Sequence, residues 1–117
     1  MKRGEVWWVD LQPRSGSEQQ GRRPAIVVSH DALNGVETWR SIVIVPITTS
    51  KRQAKRHLTT VPLSVGEGGL QHDSIALCHQ VTTLDRSKFI ERTGILSAEA
   101  LEVVGEGLVV ALDLPPP

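Results

Sequence analysis

One cysteine, Cys78, is all the thiol this chain carries, so no disulfide can form within it, which fits a reducing compartment. No apolar run approaches the ~20 residues that a helix needs to cross a bilayer, and no basic-plus-apolar leader opens the sequence. The expected location is cytoplasmic, with no membrane partner. The histidines number four and are scattered; with a lone thiol they make no metal-ligand spacing, so neither a metal nor another cofactor is expected. The "GEGG" at residues 66–69 lacks the Lys-Ser/Thr that completes a nucleoside-triphosphate loop. His72, Asp73 and Ser74 make a poor triad, because triads are assembled by the fold and adjacency in sequence is weak evidence for one. Net charge is also lacking: 13 Lys/Arg balance 13 Asp/Glu, which argues against a protein that coats nucleic acid indiscriminately.

What is present suits a single globular unit. At 117 residues a chain can bury roughly 65% of its unfolded surface, enough for one core without staples, so one domain over residues 1–117 is expected. The apolar share of 39% and charged share of 22% are ordinary for such a unit. The charges are unevenly spread. Residues 1–60 hold ten Lys/Arg against five Asp/Glu, and residues 61–117 three against eight, giving +5 and −5. One basic face for a polyanion is therefore possible.

"EVWWVDL" (5–11) is rich in aromatic and β-branched residues and reads as a strand. A loop to Arg23 follows, and Pro24 then opens a second strand at 25–29, where a missing backbone donor is tolerated. "HDALNGVETWR" reads as a turn and loop, with Asn34-Gly35 as its signal. "SIVIVPIT" (41–48) is a strand buried on both faces or bent, and its internal Pro46 implies a bulge or an edge. "LTTVPL" (58–63) is a short strand and "GEGGL" a turn. "SIALCHQVTTL" (74–84) gives one long or two broken strands. "DRSKF" is a helical turn capped by Asp85. In the tail, Ser97 suits an N-cap, Glu99 the first helical turn, and Leu101, Val104, Leu108 and Leu112 an apolar stripe. Gly105 and Gly107 each weaken that helix by ~1 kcal/mol relative to alanine, so it must dock on the rest. Short strands with turn signals followed by one helix predict a mainly β (α+β) fold, a small antiparallel barrel capped by a C-terminal helix.

The segment "GSEQQGRRPAIVVS" (16–29) delivers Arg22 and Arg23 to the start of a buried strand. The plain reading is a solvated loop end, with either arginine paired to Glu18. The functional reading is a phosphate clamp: guanidinium grips phosphate oxygens bidentately and stays charged, and Pro24 stiffens its attachment. Thr48, ending the buried strand beside Thr49 and Ser50, either satisfies its own backbone or donates to a phosphate oxygen. Lys51, Arg52, Lys55 and Arg56 form a solvated basic loop or an extension of a phosphate-binding surface. Trp7, Trp8 and Trp39 read as core residues, or else Trp39, in a loop beside Arg40, is the better candidate for stacking on a base. His79, in a predicted strand, belongs to the core or its border, or else transfers protons.

Together these segments resemble the MazF/PemK family of toxin endoribonucleases. The carriers are "KRGEVWWVDL", "GSEQQGRRPAIVVS", "IVPIT", "DSIALCHQVTTLD" and "LSAEALEVVGEGL", in the family's order across most of the chain. The "GSEQxGxRP" stretch is rather specific; the final helix alone is not. The resemblance implies an SH3-like barrel, usually a homodimer, that cuts single-stranded RNA at short sequences without a metal. It also implies an antitoxin whose acidic, apolar C-terminal segment lies across the basic groove. On the same resemblance Arg23 and Thr48 are the key catalytic pair, and Glu18 and Gln19 shape the site. Gln80 matches a glutamine of the later strand and joins the RNA-binding set. Two departures stand out: Thr82 occupies a place where many members carry arginine, and His79 one where acidic residues are frequent.

The chemistry implied is attack by the RNA's own 2′-hydroxyl on the adjacent phosphorus, with Arg23 against the developing charge, Thr48 donating to a non-bridging oxygen, and Glu18 or His79 as base. Two other functions share the scaffold. A gyrase-poisoning toxin relies on an exposed apolar and aromatic C-terminal tip, and this chain ends Asp113-Leu114-Pro115-Pro116-Pro117 without an aromatic. A non-catalytic RNA- or antitoxin-binding module would account for Thr82 and His79.

Overall fold

The computed structural model describes residues 1–12, 15–50 and 57–115. Seven strands, β1 (Glu5–Asp10), β2 (Arg22–Val27), β3 (Ser41–Thr48), β4 (Thr60–Leu63), β5 (Ser74–Leu77), β6 (Thr82–Asp85) and β7 (Phe89–Ile95), are joined by α1 (Asp31–Asn34) and closed by α2 (Ala98–Leu112). They form one antiparallel sheet in the order β4-β5-β3-β2-β1-β7, with β6 also paired to β3. This is the predicted SH3-like architecture, with the sheet left open between its end strands. A glycine turn fills the opening. Thr93 of β7 donates its hydroxyl to the Gly68 carbonyl at 2.8 Å, and a Cβ on Gly94 would stand 2.7 Å from the Gly68 backbone. Only bare backbone allows the turn and the strand to approach so closely.

The hub is β3. Its odd positions Val45 and Ile47 join one core cluster with Val6, Ile26, Leu63 and Val104. Its even positions Ile42 and Ile44 join another with Val9, Leu11, Val27 and Leu84. Burial on both faces, inferred from the unbroken apolar run, is what the strand shows. Pro46 is neither a bulge nor an edge. On one side it pairs with Ala25 of β2. On the other, β6 partners β3 only as far as Ile44 and β5 begins at Ile47. The missing N–H falls in that gap, where no ladder needs it.

Three local expectations are corrected. The segment after β2 is more than a loop: His30 caps α1, its Nδ1 accepting from Ala32 N at 2.9 Å. Strand β2 begins at Arg22, two residues before Pro24, because β1 reaches it there through the Asp10–Arg22 and Val9–Arg23 pairs. Residues 90–96 carried no assignment, yet Phe89–Ile95 forms β7 along β1. Its mostly solvent-exposed pattern left no clean alternation to read. The broken-strand alternative for 74–84 is the observed one, with a 3-10 turn over Cys78–Gln80 between β5 and β6.

Helix α2 starts as its sequence suggests, Ser97 Oγ accepting from Ala100 N at 3.1 Å, and Glu99 occupies the first turn. Its docking face uses Ala100, Leu101, Val104, Leu108 and Ala111, whereas Leu112 is 52% exposed. The 3.6-residue period carries the stripe from Leu108 to Ala111 and leaves Leu112 one step round the helix, off the docking face. The two helix glycines have different reasons. A Cβ on Gly107 would meet Cys78 Sγ at 2.7 Å, while one on Gly105 would meet only the tip of Arg3 at 4.0 Å. Close approach of α2 to the 78–80 turn therefore depends on Gly107. Cys78 is fully buried beneath it, and burial pushes its thiol up to about 11.

Gly105→Ala is expected to raise the stability of the fold by about 0.5–1 kcal/mol through helix propensity. Gly107→Ala should lower it by about 1–3 kcal/mol through overpacking. Urea unfolding of both proteins checks the opposite signs; equal shifts in the same direction would refute this account of the docking.

Candidate functional site

A cleft of about 510 Å³ opens where β1, β2, β3 and β7 meet the segment leading into β5, and its walls include Trp8, Arg22, Arg23, Thr48, His72 and Arg92. Local folding accounts for each. The β1–β2 register holds Arg22 and Arg23 at the start of β2, just beyond the sheet's buried centre. The last pair of β3 and β5, Thr48 with Ile75, places Thr48 at the cleft while burying it to 4% exposure. Thr48 Oγ1 accepts from Ser50 N at 3.1 Å. Its hydroxyl proton has no acceptor among the described residues, so it is available to a ligand oxygen.

Arg23 donates through Nε to the Gln20 carbonyl at 3.0 Å, which orients the side chain and leaves its terminal nitrogens for a ligand. The pairing of Arg22 or Arg23 with Glu18 allowed by the sequence is not formed: among the described residues neither arginine pairs a carboxylate. Arg92 is different, because its Nε lies 3.3 Å from Glu5 Oε2. Glu5 is itself held by Trp7 Nε1 at 2.9 Å. The cleft thus carries two uncompensated guanidinium groups, with Glu91 also on its wall. Such a site favours an anion.

Beside it lies a second recess of about 310 Å³, bordered by Ser17, Glu18, Gln19, His79, Gln80 and Thr82. Gln80 Oε1 accepts from Gln19 N at 2.9 Å, and Gln80 Nε2 donates to the Ser17 carbonyl at 3.1 Å. Glu18 Oε1 accepts from Ser15 Oγ at 3.4 Å. His79 is exposed on the 3-10 turn, with Nδ1 2.9 Å from Thr59 Oγ1, so it does not belong to the core. The break between β5 and β6 turns it outward.

The structure therefore divides the residues singled out in the sequence. Arg22, Arg23 and Thr48 share the cleft; Glu18, Gln19, His79 and Gln80 share the recess. Trp39 borders neither; its carbonyl is held by Arg86 Nε at 2.6 Å. Lys51, Arg52, Lys55 and Arg56 lie outside the described residues. Trp8, His72, Glu91 and Arg92 were missed. Glu91 and Arg92 depended on recognising β7. Trp8 lies on β1 opposite Pro24, a neighbour of the arginine pair, and that register is visible only in the fold. His72 drew notice only as part of a triad, and that triad is absent. Ser74 Oγ donates to the His72 carbonyl at 2.7 Å, while Asp73 Oδ1 accepts from Val65 N at 2.9 Å.

Residues 2–112 match the family described as PemK-like, MazF-like toxins of type II toxin–antitoxin systems. The chain is similar to the endoribonuclease MazF9 of Mycobacterium tuberculosis, at 38% identity over 97% of this chain and 98% of that protein. Among solved structures it resembles MazF from Deinococcus radiodurans, with 31% identity, coverage of 97% and 96% of the two chains, and a TM-score of 0.79. It also resembles a MazE–MazF structure from the same organism, with 30% identity, coverage of 98% and 97%, and a TM-score of 0.74.

The uncompensated arginines predict salt-dependent binding of a single-stranded phosphate chain. With a fluorescent deoxythymidine oligonucleotide as probe, Arg22→Ala and Arg23→Ala should each flatten the slope of log affinity against log salt by about 0.7. Arg40→Ala serves as control, because Arg40 is already paired with Asp85 at 3.2 Å. Equal slopes in all these proteins would disprove the charge assignment.

Proposed function

The chain belongs to the PemK-like, MazF-like toxins of type II toxin–antitoxin systems as an endoribonuclease, and we infer that it cuts single-stranded RNA at short sequences by a metal-independent transesterification. The observation that carries this reading is that Arg23 and Thr48 line one cleft, a fixed cation and a hydroxyl whose proton has no acceptor among the described residues. In the reaction the 2′-oxygen bonds to the adjacent phosphorus and the bond to the 5′-oxygen breaks. The products are a 2′,3′-cyclic phosphate and a 5′-hydroxyl. No protein nucleophile enters. The protein supplies in-line geometry, charge against the phosphorane and routes for two protons.

Arg23 stabilises the equatorial oxygens, oriented by its bond to the Gln20 carbonyl. Thr48 donates to a non-bridging oxygen. Trp8, 41% exposed on the wall of the same cleft, offers a face for a flanking base. Proton transfer falls to one of three groups, Glu18 and His79 on the recess or His72 on the cleft. Glu18 sits on the loop whose next-but-one residue anchors Arg23, and His72 borders the cleft itself. Replacing each by glutamine and following the pH–rate profile separates them, since the group that carries the proton takes one limb of the profile with it.

The remaining parts of the reading follow from the family. An antitoxin is the natural partner, its acidic and apolar segment suited to the arginine-lined cleft, and a MazE–MazF structure exists for a relative. The active form is a homodimer working in the cytoplasm; no helix among the described residues is long and apolar enough to cross a membrane.

Arg23→Ala and Thr48→Ala should each reduce cleavage of an unstructured RNA by about 10²–10³-fold, with far-UV circular dichroism unchanged. Wild-type rates in either variant would remove it from the mechanism. A single 2′-deoxy substitution at the cut position should abolish cleavage, and excess EDTA should leave it unchanged. Cleavage at the deoxy position, or loss of activity in EDTA, would overturn the chemistry. Bound but intact RNA would instead identify a non-catalytic module, and arrest of gyrase without cut RNA a topoisomerase poison.

A further inference from the structure

We infer that Gln80 is a positioning residue that latches the loop of residues 15–21 and, through it, the Arg23 guanidinium, and that it does not read RNA bases. The inference rests on the endoribonuclease reading for its kinetic consequence, though not for its geometry. A side-chain amide offers one carbonyl and one NH₂ group. Gln80 directs both at backbone groups two residues apart, the Gln19 N–H at 2.9 Å and the Ser17 carbonyl at 3.1 Å. The opposite amide orientation would set NH₂ against N–H and oxygen against oxygen, so the network itself decides which atom is which. Glu18 is the residue between the two anchors.

The latch has a firm base. Gln80 ends the 3-10 turn whose first residue, Cys78, is buried against α2, at the position where Gly107 permits close contact. Beyond the latch the loop is tied at Gln20 by Arg23 Nε at 3.0 Å and at Gly21 by Leu11 N at 2.9 Å. Consecutive residues 19, 20 and 21 are thus each held by a different element: the 78–80 turn, β2 and the end of β1. Arg23 is oriented by the carbonyl of Gln20, the residue after the latched Gln19. Releasing Gln80 frees that carbonyl to wander and the guanidinium with it. The recess and the cleft are in this way one mechanical unit. A base reader would need its amide edge facing the ligand; here that edge is turned onto the protein's own backbone.

The test compares wild type, Gln80→Ala and Gln80→Glu as full-length proteins. In Gln80→Ala, kcat should fall by roughly 10²-fold, the scale of a misplaced catalytic group. KM and the mapped cleavage sequence should stay as in wild type. The Gln19 amide should exchange with solvent roughly tenfold faster, a readout that needs no RNA cleavage and so separates failure of the latch from failure of the proposed reaction. Gln80→Glu keeps the acceptor for Gln19 and sets a carboxylate oxygen against the Ser17 carbonyl. At neutral pH it should be as slow as the alanine variant. Its rate relative to wild type should climb as pH falls through the carboxyl range, because the protonated acid again donates to Ser17. Glu18 and His79 are the ionisable neighbours in the recess, so the ratio is also taken in Glu18→Gln and His79→Gln backgrounds, where a climb that persists belongs to residue 80. A relaxed cleavage sequence with kcat preserved would make Gln80 a base reader. Unchanged Gln19 exchange in Gln80→Ala, or a pH-independent ratio for Gln80→Glu, would overturn the latch.

Discussion

The change of partner along β3 is the constraint on which the rest of the molecule depends. Over eight residues this strand pairs with β2 on one side and, on the other, first with β6 and then with β5. Pro46 sits at the exchange, where its absent donor leaves nothing unpaired. Because both faces of β3 are buried, a slip of one residue would exchange the two core clusters, so its register is strongly held. Thr48 inherits that precision. Two residues beyond the proline, it sits in the last pair of the β3–β5 ladder and is buried there, yet it still reaches the cleft.

The cleft gains its charge from a different feature, the early start of β2. Pairing with β1 extends the strand back to Arg22, so both arginines stand on hydrogen-bonded backbone and not on a free loop. A cation on a strand is a better electrostatic tool than one on a tether, since it need not be reorganised when charge develops on a substrate. Among the described residues, the carboxylates around it form no ion pair with either arginine: Glu5 is engaged by Trp7 and Arg92, and neither Glu91 on the cleft wall nor Asp10 opposite Arg22 pairs with them. Outside the cleft lining, Asp85 is held by Ser87 and Arg40. Hydrogen bonds from Ser87, with Arg40 beside it, hold the Asp85 carboxyl well below the usual carboxylate range.

Much of this organisation was legible in residue order, wherever local chemistry decides. The caps at Asp85 and Ser97, the turn at Gly66–Leu70, the doubly buried β3 and the arginine pair before Pro24 are all readable within a few positions. The site was less so. Glu18 and Arg23 are five residues apart, yet they border different recesses; His72 and Arg92 are remote in sequence from Arg23, yet they border its cleft. Strand β7 escaped because its residues are mostly solvent-facing, so neither a period of two nor an apolar run marked it. Leu112 and Ala111 illustrate the same limit, since helical periodicity defines a stripe but not where along it the sheet stops.

The sequence by itself determined the fold class, the family and the identity of the charged and hydroxylated residues, because propensities, capping and hydrophobic alternation act between near neighbours. Only the tertiary structure decided which of those residues meet: Thr48 with Arg23 in one cleft, Gln80 with the 15–21 loop in another, and Trp39 with neither. Those meetings are set by strand register and by the close approach of glycine backbones. Both are properties of pairs of segments distant along the chain, to which no single stretch of residues refers.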